Sequence, residues 1–249
     1  MARVSLRNVT KRFGKVVAVD RLSLDVEDNE LFVIVGPNGC GKTTVLKLIA
    51  GLVKPDEGEI YIDGKNVTNL PPAKRNVRMV FQNYALYPHM RVYEEEGYSN
   101  LTFALKIRKF LKENIVNRIE MVSRKIGITE DLYERYPNEL SSGQQQKVAV
   151  GRAIALPPKI FLLDEPLAHL DPPTRLKVRE EIKMLHKDLN ATTIYVTNEL
   201  PEAFAMADRM AIMREGRIEQ IGRAQEIYEN PASKFVSDFI KTYDLLYKL

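Results

Sequence analysis

The chain has a single cysteine, Cys40, and no tryptophan. One thiol cannot close an internal disulfide, so oxidative cross-linking is excluded and a reducing compartment is expected. Histidine is scarce too. His89, His169 and His186 stand far apart, and none has zinc-ligand spacing with Cys40. A structural metal cage is therefore not expected. An excess of one charge is also missing: 37 Lys and Arg face 33 Asp and Glu, a net +4, which is too little to argue for a nucleic-acid binder. No run approaches the ~20 apolar residues that a membrane helix needs. Met1-Ala2-Arg3-Val4 opens on alternating polar and apolar residues, not on a signal peptide. The expectation is a protein soluble by itself, with any membrane role reached through a partner. What remains is an ordinary composition, 45% hydrophobic and 28% charged over 249 residues, and enough chain to bury a core unaided.

Hydrophobic period divides the chain. Val4, Leu6 and Val9, then Leu22, Leu24 and Val26, alternate as half-buried strands do. Leu31 to Val35 is apolar on both faces, as in a central parallel strand. Further strands are expected at Glu59–Ile62, Val77–Phe81, Ile160–Leu163 and Thr192–Val196, with a hairpin of Met210–Met213 and Arg217–Ile221. Helices are expected at Thr44–Ala50, Lys106–Lys125, Thr174–Asp188 and Ala224–Lys241. The Lys- and Arg-rich helix at 106–125 reads either as a basic docking face or as a solvated surface. Strands alternating with helices imply an α/β fold with helices on the faces of a mostly parallel sheet. N-terminal antiparallel strands precede that sheet, and a helical segment is inserted into it.

Gly36-Pro37-Asn38-Gly39-Cys40-Gly41-Lys42-Thr43 fits G-x-x-x-x-G-K-S/T between a strand and a helix, the context that gives this motif meaning. Its glycines let consecutive backbone N–H groups curl around a phosphate. The helix that begins near Gly41 and includes Thr44 adds its positive end. Lys42 is suited to the β- and γ-phosphates, and the Thr43 hydroxyl to Mg²⁺. Cys40 reads either as a reactive thiol or as a small tolerated side chain. A second apolar strand ends in Asp164-Glu165, which places Asp164 where a Mg²⁺-binding carboxylate belongs and Glu165 where an attacking water can be polarised. The chain thus reads as a phosphate-loop enzyme that takes a phosphate-bearing ligand and Mg²⁺.

Together with Leu140-Ser141-Ser142-Gly143-Gln144, these motifs resemble the ATP-binding-cassette (ABC) ATPase family over almost the whole chain. The resemblance implies a single ABC ATPase domain over 1–249. Residues 1–83 and 158–249 would form the nucleotide-binding core, and 84–157 a helical subdomain carrying the signature. It implies that Gln82 contacts Mg²⁺, that Phe13 stacks on adenine unless it packs in the core, and that Asp171 lies in the D-loop. Ser141 and Gln144 also have capping-box spacing at a helix start. In the family this helix end completes the ATP site of a second subunit, so the expected partner is a second copy or a paralogous ATPase subunit. Leu70-Pro-Pro, Arg75-Asn-Val and the tail Asn230 to Ile240 resemble importer ATPases for sugars, polyamines or oxyanions. That likeness implies transmembrane permease partners, a peripheral place on the cytoplasmic face of the membrane, and no nucleic acid. Such proteins continue into a C-terminal regulatory domain, expected here to be absent by nature or by truncation.

Four departures from the family pattern stand out. Asn198 occupies the position of a switch histidine, and Asn is shorter, neutral and unable to pass a proton. Ser142 replaces the first signature glycine. His169 enters a D-loop position that is usually small or polar. Glu94 to Asn100 lengthens a loop where membrane partners dock, and reads either as part of that interface or as a plain surface loop. The expected function is ATP-driven dimer closure that powers an importer, with an ATP-binding switch of little hydrolysis as the alternative.

Overall fold

A computed structural model describes residues 2–168 and 170–247, with side-chain surroundings through Thr242. In chain order its elements are β1 (Val4–Phe13), β2 (Val16–Val26), β3 (Leu31–Val35), α1 (Lys42–Ala50), β4 (Glu57–Ile62), β5 (Lys65–Asn66) and β6 (Val77–Val80). Then come α2 (Phe103–Ile107), α3 (Lys112–Ile126), α4 (Ser142–Ile154), β7 (Ile160–Asp164), α5 (Pro172–Leu189), β8 (Thr192–Thr197) and α6 (Leu200–Met206). The chain closes with β9 (Arg209–Arg214), β10 (Arg217–Gly222), α7 (Ala224–Glu229) and α8 (Lys234–Tyr247).

These elements form two compact units. The first holds Met1–Val77, Lys159–Glu165 and Asn190–Leu249; the second holds Arg78–Pro158 and Pro166–Leu189. The helical segment read from the sequence ran from 84 to 157, and contacts add α5 to it. In the first unit, β2-β1-β4-β5 make an antiparallel sheet, and β10-β9-β3-β8-β7 make the second sheet, whose inner pairs are parallel. All five residues of β3 are buried, as an uninterrupted apolar run predicts for a strand covered on both faces. The register matters most for function: Val35 lies beside Thr197 of β8, and Asp164 of β7 beside Val196. The carboxyl ends of three parallel strands therefore stop at one level, the place where open α/β sheets hold ligands.

The second unit is helical. In α4, the Ser141 side chain accepts the Gln144 N–H at 3.3 Å, and the Gln144 side chain accepts the Ser141 N–H at 2.9 Å, which is the capping box expected from the spacing. The single helix expected over 106–125 is instead two. Lys109 has φ 58°, a left-handed conformation that ends α2, and α3 starts three residues later. The helix expected over 224–241 is also two, broken at Asn230-Pro231. Proline lacks the N–H that would continue the ladder and disfavours helical geometry in the residue before it. The lengthened acidic loop is tied down: Lys112 Nζ lies 3.0 Å from Glu95 Oε1, and Lys106 Nζ donates to the Glu95 carbonyl at 2.6 Å. Buried Asn100 closes it by donating to the carbonyls of Tyr87, Met90 and Arg91.

Candidate functional site

The site grows out of the turn after β3. Gly36 has no room for a side chain, because a Cβ there would stand 2.1 Å from the Met213 carbonyl oxygen. Gly41 has φ 108° and would clash with Ala18 in the same way, so only glycine lets the loop curl so closely under β2 and β9. α1 then starts at Lys42, and the first-turn N–H groups of a helix have no partner within it. The result is a cleft of ≈ 390 Å³, lined among others by Gly39, Gly41, Lys42, Thr43, Thr44 and Glu165. That size suits a small ligand, and the loop amides and Lys42 suit a polyanionic one.

Lys42 is 4% exposed, and a buried ammonium must be satisfied. Its Nζ donates to the carbonyls of Gly36 at 2.9 Å and Pro37 at 3.1 Å, and lies 3.5 Å from Glu165 Oε1. Thr43 Oγ1 donates to Asp164 Oδ1 at 2.8 Å. Burial pushes the Asp164 carboxyl above the usual carboxylate range, and the Thr43 hydrogen bond opposes that shift. Glu165 sits at φ 44°, an uncommon conformation for this residue type, anchored by its N–H donating to the Val196 carbonyl at 3.0 Å. Cys40 is buried, and burial pushes its thiol pKa up, which selects the inert reading over the reactive one.

The end of β8 reaches the same loop. Asn198 Nδ2 donates to Asn38 Oδ1 at 3.1 Å, linking the end of β8 to the phosphate loop. Behind it, Glu202 Oε2 accepts the hydroxyls of Tyr195 and Thr197, each at 2.8 Å, and Thr197 Oγ1 accepts the Glu199 N–H at 3.0 Å. Glu202 was missed by sequence reasoning. A glutamate on a short helix carries no signal of burial, and only the fold turns it inward. Asn38 was read as a loop residue, without its partner.

The first unit thus brings together Asn38, Lys42, Thr43, Asp164, Glu165 and Asn198. Phe13, also in this unit, is 49% exposed with Lys11 Nζ 5.4 Å from its ring centroid, so it is not a core residue. The remaining sequence candidates lie in the second unit. Gln82 is exposed, Ser141 and Ser142 are exposed at the start of α4, and a Cβ on Gly143 would touch Thr174 at 3.3 Å. The Asp171 carboxylate accepts the Thr174 N–H at 3.1 Å at the start of α5, and hydrogen bonds from Thr174 hold its pKa below the ordinary value. His169 lies outside the described residues.

The chain is similar to known proteins in sequence and in fold. The family model described as "ABC transporter" matches residues 19–168. The chain is 48% identical to the trehalose/maltose import ATP-binding protein MalK of Thermococcus litoralis, over 96% of this chain and 64% of the relative. It is 49% identical to the sn-glycerol-3-phosphate import ATP-binding protein UgpC of Cupriavidus necator, with the same coverage. The chain therefore spans less than two thirds of the length of these relatives. Among solved structures, the dimeric post-hydrolysis state of the ATP-binding cassette MJ0796 bound to ADP and Pi superimposes with a TM-score of 0.75 at 30% identity, covering 89% of this chain and 98% of that one. A nucleotide-free ATP-binding cassette from an ABC transporter gives 0.80 at 28% identity, covering 96% and 99%. By its matched family model, by relatives near half identity and by its phosphate cleft, this chain belongs to the ABC transporter family.

Proposed function

We propose that the chain is the ATP-hydrolysing subunit of a membrane importer, working as a dimer that closes on two ATP and reopens after hydrolysis. The observation that carries this reading is the convergence of Lys42 and Thr43, after β3, with Asp164 and Glu165, at the end of β7, two parallel strands on either side of β8. The importer relatives and the dimeric cassette supply the partners: a second copy or a paralogous subunit, and transmembrane permease subunits. No helix among the described residues is long and apolar enough to cross a membrane, so a peripheral place on the cytoplasmic face would be reached through those subunits.

The residues divide the work. The amides of Gly36 to Thr44 hold phosphates, and Lys42 exchanges its two loop carbonyls and Glu165 for the β- and γ-phosphates. That exchange breaks the Lys42–Glu165 contact, and Glu165 orients the attacking water. The Thr43 hydroxyl and Asp164 carboxylate, already 2.8 Å apart, fit the sparse protein ligation that Mg²⁺ accepts. Held there, Mg²⁺ would neutralise charge on the bound phosphates. Phe13 stacks on adenine. Ser141, Ser142, Gly143 and Gln144, with Asp171, complete the site of the facing copy.

A second reading has its own observation. Asn198 stands where the family resemblance places a switch histidine, and its amide is engaged by Asn38. The protein would then bind ATP and dimerise but turn over slowly. Steady-state phosphate release decides. Lys42→Ala should weaken MgATP binding and abolish release, and unchanged MgATP affinity would remove the phosphate-loop assignment. Asn198→His should raise kcat by up to roughly 10²-fold at little change in affinity, as expected for restoring a transition-state donor. Brisk parental release that Asn198→His leaves unaltered would show that position 198 limits nothing.

A further inference from the structure

We infer that Asn38 and Asn198 act as one unit, in which Asn198 positions Asn38 and the Asn38 side-chain amide donates to the terminal phosphate. This rests on the proposed hydrolysis at the same cleft.

A primary amide has two N–H donors and one acceptor oxygen. In this pair Asn198 spends a donor on Asn38 Oδ1 at 3.1 Å. Asn38 therefore spends only its acceptor, and its Nδ2 makes no hydrogen bond among the described residues. Both donors of Asn38 remain for a ligand at the apex of the phosphate loop, where Pro37, Asn38 and Gly39 are all exposed. Asn198 is well suited to the supporting role. Its backbone follows Thr197, whose hydroxyl is bonded to buried Glu202 and accepts the Glu199 N–H. The β3–β8 register sets Thr197 beside Val35, hence Asn198 beside the first loop glycine. A short side chain on a rigid turn reaches the loop and holds a second short side chain. Two amides in series then span a distance that neither spans alone.

The energetic case is one of pre-organisation. Phosphoryl transfer depends on donors already aimed at the γ-phosphate oxygens. An unrestrained Asn38 on an exposed loop would have to lose rotamer freedom in the transition state, and the Asn198 bond removes much of that cost beforehand. Because both amides are neutral, the stabilisation falls short of a charged donor.

The test is a double-mutant cycle at saturating MgATP, with kcat and KM measured for the parent, Asn38→Ala, Asn198→Ala and the double variant. Each single change should lower kcat about tenfold, below the roughly 10²–10³ of a full oxyanion-type donor, with KM within about twofold. The double variant should be no slower than either single one. In an Asn198→His background, Asn38→Ala should cost less than about twofold, since the imidazole then serves directly. Asn38→Asp separates the roles, because it keeps the acceptor for Asn198 and removes the donors. It should leave the Asn198 side-chain amide resonances of the nucleotide-free protein unshifted by NMR while kcat still falls, whereas Asn38→Ala should shift them. Multiplicative losses in the double variant, unshifted Asn198 resonances in Asn38→Ala, or full kcat in Asn38→Asp would each overturn the pair while leaving hydrolysis standing. Phosphate release absent from every variant, the parent included, would overturn the hydrolysis reading and the donor role with it.

Discussion

Lys42 is a buried charge in a self-satisfied state: two loop carbonyls and Glu165 hold it. Lys42 thus also holds Glu165, so in the proposed cycle phosphate arrival breaks the Lys42–Glu165 contact. Cys40 shows the opposite behaviour, a group silenced by its surroundings. Burial raises its thiol pKa, so less thiolate is present at a given pH in the folded protein than in the unfolded chain. At pH 8 an alkylating reagent should label Cys40 at least roughly tenfold more slowly in the folded protein than in urea, as measured by thiol titration. Equal rates would mean that the loop opens freely.

At the level of elements, α4 joins two tasks. Its start presents the signature residues Ser141 to Gln144, and its body packs in the helical unit. Gln146 on this helix is fully buried, and neither of its amide atoms has a hydrogen-bond partner among the described residues. It lines a small apolar cavity with Ile126, Val150, Val178 and Ile182, beside the Lys147–Glu181 ion pair at 3.3 Å. An unsatisfied buried amide costs about 1–3 kcal/mol. Gln146→Met keeps the volume and removes the polar atoms, so it should stabilise the protein by about 1 kcal/mol, or roughly 2–4 °C in Tm for a chain of this size. A thermal melt in which Gln146→Met lowers Tm would show that the amide has a partner after all.

At the level of the whole molecule, the proposed function needs a second copy. The chain has one phosphate loop and one signature. A two-fold dimer would use each signature helix start on the partner's ATP, an isologous and closed arrangement. Glu165→Gln should keep ATP binding, stop turnover and accumulate an ATP-held dimer on size-exclusion chromatography. Adding Ser141→Arg should return it to monomer by placing bulk at the facing phosphate. Only monomer with Glu165→Gln at saturating MgATP, in the presence of the permease subunits, would count against the closed dimer.

What the sequence determined by itself is what depends on neighbours along the chain. The loop from Gly36 to Thr43 was legible because glycine spacing, a preceding apolar strand and a following helix are all local. So was the Ser141–Gln144 capping box, whose two bonds span three residues. Local reading failed where a non-glycine residue takes a left-handed turn, as at Lys109, because lysine carries no compositional mark of that conformation. Tertiary structure decided the contacts that depend on register. The Asn198–Asn38 bond joins residues 160 positions apart, and it exists because β3 and β8 pair in parallel with Val35 beside Thr197. Sliding that pairing by one residue would turn each side chain to the other face and separate the two amides. The inward turn of Glu202, the burial of Gln146 and the exposure of Phe13 were decided in the same way. Each depends on which surface of an element the rest of the chain covers, and no spacing within the element encodes that.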